Sequence, residues 1–297
     1  MGGGPDGPTR DPSSSKRRRP TAEKSRMVVA PTVGMVGVGE MGLPMARRIM
    51  DRGYKLAFYA RRAEARSELE GLGAHDGGSL AGVAKRSDVM IICVYDDAGL
   101  KEVCLGPQGV IAHMRAGTVL VNHTTSDPAT ALALNRHARV SKVHFLDAAL
   151  SGSPADIGNG RLTLLIGGRV DVLRRAQPVL ASYADPILHV GRVGDGQWVK
   201  LVNNALFAAN LALVVQAERL IGQAHLPLEP TLKAISYCSG DSRALRIAAQ
   251  LGSSRELIER AGRFIEKDVH TVQTVARERR VSLGLLGQVA SSVGGQE

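Results

Sequence analysis

Short apolar runs alternate with stretches of helical periodicity over the first two thirds of the chain. A run of about four to eight apolar residues predicts a buried strand, and an apolar stripe recurring every three or four residues predicts a helix. Strands that alternate with helices form βαβ units, and right-handed crossovers then place helices on both faces of a parallel sheet. The predicted strands are 32–38, 55–59, 89–94, 118–121, 143–146, 163–166 and 187–190, and the helices between them are 41–52, 63–70, 80–85, 100–103, 128–138 and 172–183.

Beyond residue 196 the strand pattern stops and only helical periodicity remains. We therefore predict an α/β fold, with a Rossmann-type doubly wound parallel sheet followed by an all-helical C-terminal domain that a long interdomain helix joins to it. The predicted domains are 27–193 and 194–297, after a leader at 1–26. The predicted C-terminal helices are 197–223, 229–237, 242–251, 263–279 and 282–293.

The leader is rich in Gly, Pro, Ser and Arg and carries seven Lys or Arg against three Asp or Glu. A segment of this composition buries too little apolar surface to offset its ordering entropy, so we expect a disordered basic leader at 1–26. An arm that contacts nucleic acid or another anionic surface is the alternative. The net charge of +10 suits an anionic ligand or solubility about as well as it suits nucleic acid. Because only 3% of the residues are aromatic, a protein that binds nucleic acid by base stacking is disfavoured.

The remaining composition is that of a globular protein, with 44% hydrophobic and 22% charged residues. Three widely spaced cysteines give no disulfide framework, and the scattered histidines predict no metal site. The apolar stretch 201–217 contains amides, which are costly in lipid, so we interpret it as a buried helix and expect no membrane partner. With no apolar signal-peptide core near the start, we expect a cytoplasmic protein.

A glycine motif, Gly37-Val38-Gly39-Glu40-Met41-Gly42, follows the first predicted strand and opens the first predicted helix. In this context the pattern is typical of a loop that binds a pyrophosphate. Gly37 permits a tight turn, Gly39 lets the backbone approach the anion, and Gly42 allows close packing of the helix. The first domain is therefore predicted to bind a dinucleotide, the alternative being a glycine-rich turn without a ligand.

The end of the second predicted strand distinguishes between the two nicotinamide cofactors. An NAD site has an acidic residue there for the ribose 2′-hydroxyl, whereas this chain has Arg61 and Arg62. Two guanidiniums suit a 2′-phosphate through charge-assisted hydrogen bonds, which favours NADP(H), with NAD(H) as the alternative cofactor. Otherwise both arginines are solvated loop charges.

Lys200 and Asn204 lie four residues apart in the predicted interdomain helix, so they share one helical face. A lysine that removes a proton needs its pKa lowered from about 10.4 toward about 7 or 8. Burial beside a cofactor would provide this shift. The alternative is a structural lysine and amide pair with no catalytic role.

The glycine loop and the lysine helix, in this order and spacing, resemble the β-hydroxyacid dehydrogenase family, which includes 3-hydroxyisobutyrate dehydrogenase. Two further segments carry the resemblance: 147–153, continued by 160–163 and 167–168, and Lys267-Asp268. The resemblance covers about residues 32–293. It implies an oxidoreductase that transfers a hydride between nicotinamide and a small β-hydroxy acid or its semialdehyde, and an assembly that is a homodimer or a tetramer.

The resemblance also implies roles for individual residues. Lys200 would be the general acid or base, while Ser151 and Gly152 would hold the substrate carboxylate and Asn204 would hydrogen-bond the substrate. The C-terminal domain would then serve substrate binding and dimerisation. The implied cofactor contacts are Gly37, Gly39, Met41 and Gly42 of the loop, Val94 and Tyr95 on the nicotinamide side, Thr125, and Lys267.

Several residues depart from the family pattern. Ser153 stands where a second glycine is usual, Pro154 lacks a backbone N–H, Tyr95 replaces a proline, and Asp156 adds a negative charge. These departures keep open a reductase of a non-carboxylate carbonyl or imine. A non-catalytic cofactor-binding scaffold, whose basic leader contacts nucleic acid or a partner, is a further alternative, although Lys200 and Asn204 argue against it. Asn203 in place of histidine disfavours the 6-phosphogluconate dehydrogenase branch, and Lys200 disfavours imine reductases.

Overall fold

The computed structural model describes residues 1–4 and 30–292. Contacts divide the chain into residues 1–30 and residues 31–297. In the first unit the described residues, 1–4 and Ala30, are exposed. Apart from its first four residues, the predicted disordered leader at 1–26 lies outside the described residues and stays a prediction.

The described part of the second unit forms one eight-stranded sheet with the order β3-β2-β1-β4-β5-β6-β7-β8. β1 is third in this order, and the chain winds from it first toward β3 and then, from β4 onward, toward β8, which is the doubly wound arrangement. The strands are β1 (Val33–Val36), β2 (Leu56–Tyr59), β3 (His75–Asp76), β4 (Val89–Ile92), β5 (Val119–Asn122), β6 (His144–Ser151), β7 (Leu162–Gly167) and β8 (Ala184–Gly191).

Helices connect the strands and continue beyond the sheet. The connecting helices are α1 (Gly42–Asp51), α2 (Ala63–Gly71), α3 (Leu80–Arg86), α4 (Asp97–Cys104), α5 (Val110–His113), α6 (Pro128–Val140), α7 (Pro154–Gly158) and α8 (Val170–Leu180). The C-terminal helices are α9 (Asp195–Gln223), α10 (Leu228–Ile235), α11 (Arg243–Leu251), α12 (Ser254–Arg279) and α13 (Gly284–Ser291).

The predicted fold class is confirmed, with one correction to the sheet. Strands β1, β2, β3, β4, β5 and β6 pair in parallel, but β6 and β7 pair antiparallel. Residues 152–161 join β6 to β7 and hold only the five-residue α7. A connection this short suits antiparallel neighbours, because a parallel pair needs a crossover of a dozen or more residues.

Side chains alternate across the sheet into two apolar layers. Met35 and Ile91 enter the layer covered by α1, α2, α7 and α8, whereas Val36 and Ile92 enter the layer covered by α3, α4, α5 and α6. Strand β3 and helices α5 and α7 were not predicted. Each has five residues or fewer, too few to show a period.

Helix α9 packs against β6 and β7 near its start and against α11, α12 and α13 farther along. Among the described residues it is the one helix whose length and composition would allow a bilayer crossing, and 44% of its apolar window is buried inside the protein. Its buried positions are largely alanine and leucine, so neighbouring helices approach closely. The domain boundary at 193/194 stays a prediction.

Candidate active site

The glycine loop lies between β1 and α1. At Gly37, φ is +93° and a Cβ would lie 2.0 Å from the carbonyl oxygen of Cys93, so a side chain there is excluded. A Cβ on Gly42 would lie 1.9 Å from the Gly37 carbonyl oxygen and 3.1 Å from the Met35 side chain. A Cβ on Gly39 meets nothing within 4 Å.

This geometry fits a pyrophosphate. The loop is tight where it folds against Cys93 and open at Gly39, three residues before α1 begins at Gly42. Free backbone N–H groups and the positive end of the helix dipole favour an anion at such a helix start. Val38, Glu40 and Met41 complete the loop, so the residues predicted for a dinucleotide phosphate occur together.

The carboxyl ends of β4 and β5 meet beside this loop. The Val94 N–H donates to Oγ1 of Thr124 over 3.0 Å, which joins the residues that follow the two strands. Tyr95 is 58% exposed and Thr125 is partly exposed. Residues predicted to face nicotinamide therefore lie at the same edge of the sheet as the glycine loop, the edge at which open α/β sheets bind ligands.

Two exposed arginines follow β2. One Nη of Arg62 donates to the Val38 carbonyl oxygen over 3.4 Å, so this guanidinium contacts the glycine loop. The Arg61 side chain is exposed and makes no hydrogen bond or ion pair with any residue that the structure describes. Arg61 is thus the freer of the two to bind an anion beside the loop.

Lys200 lies in the second turn of α9 and is partly buried. Burial lowers the pKa of its amine below the usual 10.5, the positive charge of Lys267 lowers it further, and Asp268 opposes the shift. Asn204, one turn later, is 7% exposed, and its Nδ2 donates to Oδ2 of Asp268 over 2.8 Å. Asp268 follows Lys267 directly, and no role was predicted for it.

Lys267 joins α12 to the end of β4. Its Nζ donates to the carbonyl oxygen of Tyr95 over 3.2 Å and lies 5.0 Å from the centre of the Tyr95 ring, a cation–π geometry. The same Nζ lies 3.5 Å from Oδ1 of Asp268. Contacts therefore run from Tyr95 through Lys267 and Asp268 to Asn204, so α12 joins the segment after β4 to α9.

The predicted carboxylate-binding segment follows β6. Ser151 ends the strand, and its hydroxyl makes no hydrogen bond with the described residues, while Gly152 has φ of +143°. Ser153 and Asp156 form a capping box, in which the Ser153 N–H donates to Oδ2 of Asp156 over 2.8 Å. The Ser153 hydroxyl also donates to this carboxylate, and the hydrogen bond lowers the pKa of Asp156.

This arrangement reduces what the segment offers to a ligand. The backbone N–H of Ser153 is already used within the chain, and Pro154 has none. The Ser151 hydroxyl and the region of Gly152 remain for a substrate oxygen. Asp156 keeps a negative charge nearby, opposed by Arg161 and Arg243.

A doubly wound sheet with a glycine loop at the carboxyl end of β1 is the arrangement of a dinucleotide-binding protein, the class to which the dinucleotide-dependent oxidoreductases belong. Comparison with protein families agrees. Residues 32–191 match the family described as the NAD binding domain of 6-phosphogluconate dehydrogenase. Residues 194–294 match the family described as NAD-binding of NADP-dependent 3-hydroxyisobutyrate dehydrogenase.

Individual relatives point to the same family. Human mitochondrial 3-hydroxyisobutyrate dehydrogenase is 32% identical over 234 residues, 76% of this chain and 69% of the relative. An uncharacterized oxidoreductase of Mycobacterium tuberculosis is 30% identical over 207 residues, 70% of each chain. The chain belongs to the 3-hydroxyisobutyrate dehydrogenase-like family of β-hydroxyacid dehydrogenases and is an NAD(P)-binding oxidoreductase.

Solved structures share the fold. 3-Hydroxyisobutyrate dehydrogenase of Mycobacterium tuberculosis with L-serine aligns with a TM-score of 0.79 at 21% identity, over 89% of this chain and 92% of that chain. The imine reductase of Myxococcus stipitatus with NADP⁺ aligns with a TM-score of 0.60 at 22% identity, over 89% of this chain and 93% of that chain. At such identities the likeness concerns the fold alone.

Proposed function

We propose that this protein is an NADP(H)-dependent dehydrogenase of a small β-hydroxy acid or of the corresponding semialdehyde, with Lys200 as the general acid and base. The observation that carries the proposal is the partly buried Lys200, which lies one helical turn before Asn204 on α9. Burial lowers the pKa of its amine, which suits proton transfer. The nicotinamide, when bound, accepts or supplies the hydride.

Lys200 would move the proton that accompanies the hydride. In oxidation its neutral amine takes the proton of the substrate hydroxyl, and in reduction its ammonium returns a proton to the carbonyl oxygen. Because burial disfavours the charged ammonium, the lowered pKa raises the fraction of neutral amine near neutral pH. Lys267 adds to this effect, whereas Asp268 limits it.

Asn204 would orient the substrate oxygen beside that amine. One N–H of its amide is used by Asp268, and its Oδ1 accepts a hydrogen bond of 3.2 Å from Nδ2 of Asn203. The second N–H remains for a substrate hydroxyl or carbonyl oxygen. The contact with Asp268 holds the amide in one orientation, which supports a positioning role toward substrate.

The substrate carboxylate would bind at Ser151 and Gly152, where the serine hydroxyl is unpaired among the described residues. For the cofactor, Arg61 supports NADP(H), since its exposed guanidinium follows β2 where a ribose 2′-phosphate would lie. NAD(H) is the alternative cofactor.

A second candidate is the reduction of a carbonyl compound or imine that has no carboxylate. The favouring observation is the Ser153–Asp156 capping box, which removes one N–H donor and adds a carboxylate beside the substrate segment. The third hypothesis, a cofactor-binding scaffold without catalysis, is disfavoured because Lys200 and Asn204 are both present.

A substrate panel tests these alternatives. Small β-hydroxy acids are offered with NADP⁺ and NAD⁺, and semialdehydes, uncharged ketones and cyclic imines are offered with NADPH, while absorbance of the reduced nicotinamide is followed. Turnover of a β-hydroxy acid or semialdehyde supports the dehydrogenase. Turnover confined to ketones or imines favours the second candidate. Cofactor binding with no turnover of any class would overturn both.

We also propose a homodimer in which α9 pairs with a second copy. Val199, Leu206, Leu213 and Leu220 are spaced seven residues apart along this helix, with Val202 beside them. All five are exposed, by 38% to 66%. A seven-residue repeat of apolar side chains suits helix–helix pairing, and a second copy would remove this stripe from water.

A further inference from the structure

A buried carboxylate holds the beginning of α9. Asp147, in the middle of β6, is completely buried, with Oδ1 accepting from the Gly194 N–H over 2.9 Å and Oδ2 accepting from the Gln197 N–H over 3.1 Å. Gly194 is the N-cap of α9 and Gln197 lies in its first turn, positions at which backbone N–H groups have no partner within the helix. Gly196 permits this approach, because a Cβ there would lie 2.7 Å from Oδ2 of Asp147.

The side chain of Gln197 connects the start of α9 to the loop that follows β5. It is completely buried, its Oε1 accepts from the Ser126 N–H over 2.9 Å, and its Nε2 donates to the Thr124 carbonyl oxygen over 3.0 Å. These two partners flank Thr125, which is predicted to contact the cofactor. A single amide therefore fixes the loop after β5 to the first turn of α9.

The loop that Gln197 holds is itself tied to the end of β4. Thr124 accepts the Val94 N–H through its hydroxyl, and its own N–H donates to Oδ1 of Asn122 over 2.9 Å. Lys200 follows Gln197 by three residues, less than one helical turn. Two contacts therefore fix the Lys200 backbone relative to the loop after β5. The Gln197 side chain holds that loop, and Asp147 holds the start of α9 on β6.

We propose that Gln197 is a positioning residue of the reaction: its buried amide sets the distance between the cofactor-binding loop and the Lys200 amine. The inference rests on the proposed role of Lys200. Gln197 touches neither substrate nor reacting atoms, so it acts through the helix turn that carries Lys200. Misplacement by about 1 Å in such an arrangement costs about 100-fold in rate.

The chemistry of the site explains why an amide is required. Glutamine donates and accepts through one planar group, which matches a carbonyl oxygen and an N–H two residues apart. Methionine has a similar length but makes neither hydrogen bond. An ionised glutamate accepts from Ser126 but cannot donate to Thr124, whereas a protonated glutamate does both.

The first experiment replaces Gln197 with methionine and measures kcat and KM for the best substrate of the panel. We expect kcat to fall by about 10- to 100-fold while KM changes by less than about 3-fold, since the substrate contacts stay in place. Gln223→Met, at the exposed end of the same helix, is the matched control and leaves both constants unchanged. Unchanged kcat in Gln197→Met, or a loss confined to KM, overturns the proposal.

The second experiment uses Gln197→Glu, with Gln223→Glu as control. A buried carboxyl has a raised pKa, so the introduced glutamate gains its proton as the pH falls through that raised value. The ratio of the variant's kcat to that of the unaltered protein is expected to rise over the same fall in pH, because the protonated side chain restores the donor. A ratio that stays flat or falls counts against the positioning role.

A double variant separates failure of this inference from failure of the Lys200 mechanism. If Gln197 acts through Lys200, Gln197→Met costs little more in a Lys200→Ala background. If Lys200→Ala keeps full kcat, the Lys200 mechanism is overturned. If Lys200→Ala loses kcat but Gln197→Met does not, only the positioning role is overturned. Without any substrate, hydrogen exchange still decides: Gln197→Met should speed exchange in residues 122–127, and unchanged protection there contradicts the proposal.

Discussion

The side-chain amide of Asn204 donates a hydrogen bond of 2.8 Å to the carboxylate of Asp268, a residue 64 positions farther along the chain. This contact joins α9 to α12 one turn beyond Lys200. The same carboxylate lies 3.5 Å from the amine of Lys267, and its negative charge opposes the lowering of the Lys200 pKa that burial causes. Asp268 thus influences both the orientation of one site residue and the proton affinity of another.

The pH dependence of oxidation is expected to follow Lys200. Burial lowers the pKa of this amine below 10.5, so kcat/KM for the alcohol rises with pH through that lowered value as the neutral base forms. In Asp268→Asn the rise moves to lower pH, because the asparagine no longer stabilises the ammonium. Asp171→Asn, at an exposed site, is the control and leaves the pH profile unchanged. A shift of the rise to higher pH in Asp268→Asn would contradict the assignment of the titrating base to Lys200.

Removal of the Lys200 amine tests its role directly. We expect Lys200→Ala to lower kcat by about 10²- to 10⁴-fold, the usual contribution of a positioned proton-transfer group, while NADP(H) affinity changes little. Lys233→Ala, at an exposed residue of α10, is the control. Steady-state kinetics and fluorescence titration of the cofactor give both quantities, and full turnover in Lys200→Ala would remove this residue from the mechanism.

Cofactor preference is expected to depend on Arg61. Arg61→Ala should weaken NADPH by about 10-fold or more, since a charge-assisted hydrogen bond to phosphate contributes about 1.5–3 kcal/mol, and should leave NADH nearly unchanged. Titration of nicotinamide fluorescence with both cofactors measures the difference. Arg136→Ala on α6 serves as control. Equal losses for the two cofactors would argue against a 2′-phosphate contact.

The buried carboxyl of Asp147 predicts a pH-dependent stability. Burial raises its pKa from 3.8 to about 6, although the N–H donors of Gly194 and Gln197 lower it. Because the folded protein binds this proton more tightly than the unfolded chain, the stabilisation is complete below about pH 4 and is lost as the pH rises through about 6. It amounts to at most about 3 kcal/mol.

Asp147→Asn gives the comparison. The free energy of unfolding of the unaltered protein, relative to that of the variant, should fall between about pH 4 and about pH 7. Denaturant unfolding at several pH values measures this difference. A relative stability that rises with pH in this window would show that the carboxyl has a lowered pKa.

The apolar stripe of α9 predicts the effect of one charge on assembly. Leu213 is 56% exposed at the centre of the stripe. Leu213→Glu should convert a dimer to a monomer in sedimentation experiments, because two carboxylates would meet across the paired helices. Val140→Glu, at an exposed apolar residue of α6, is the control, and a sedimentation coefficient that is the same in Leu213→Glu would exclude α9 as the interface.

Much of the fold follows from local pattern. The alternation of strands and helices, the order of the main elements and the helical C-terminal part are confirmed, since each depends on a period of two or 3.6 that a few neighbouring residues display. The glycine loop was equally predictable, because its motif is six consecutive residues that directly follow a predicted strand. The direction of β7 was not predictable. It follows from the short connection between β6 and β7, and the five-residue α7 in that connection shows no periodic signal.

The site divides in the same way. The sequence by itself determined that a glycine loop after β1, a basic turn after β2, and a lysine and an amide on one helical face belong to this chain. Only the tertiary structure decided that Asp268 holds Asn204, that Lys267 contacts Tyr95, and that Gln197 joins α9 to the loop after β5. Those contacts join residues more than 60 positions apart, and no local pattern encodes which buried polar groups satisfy one another.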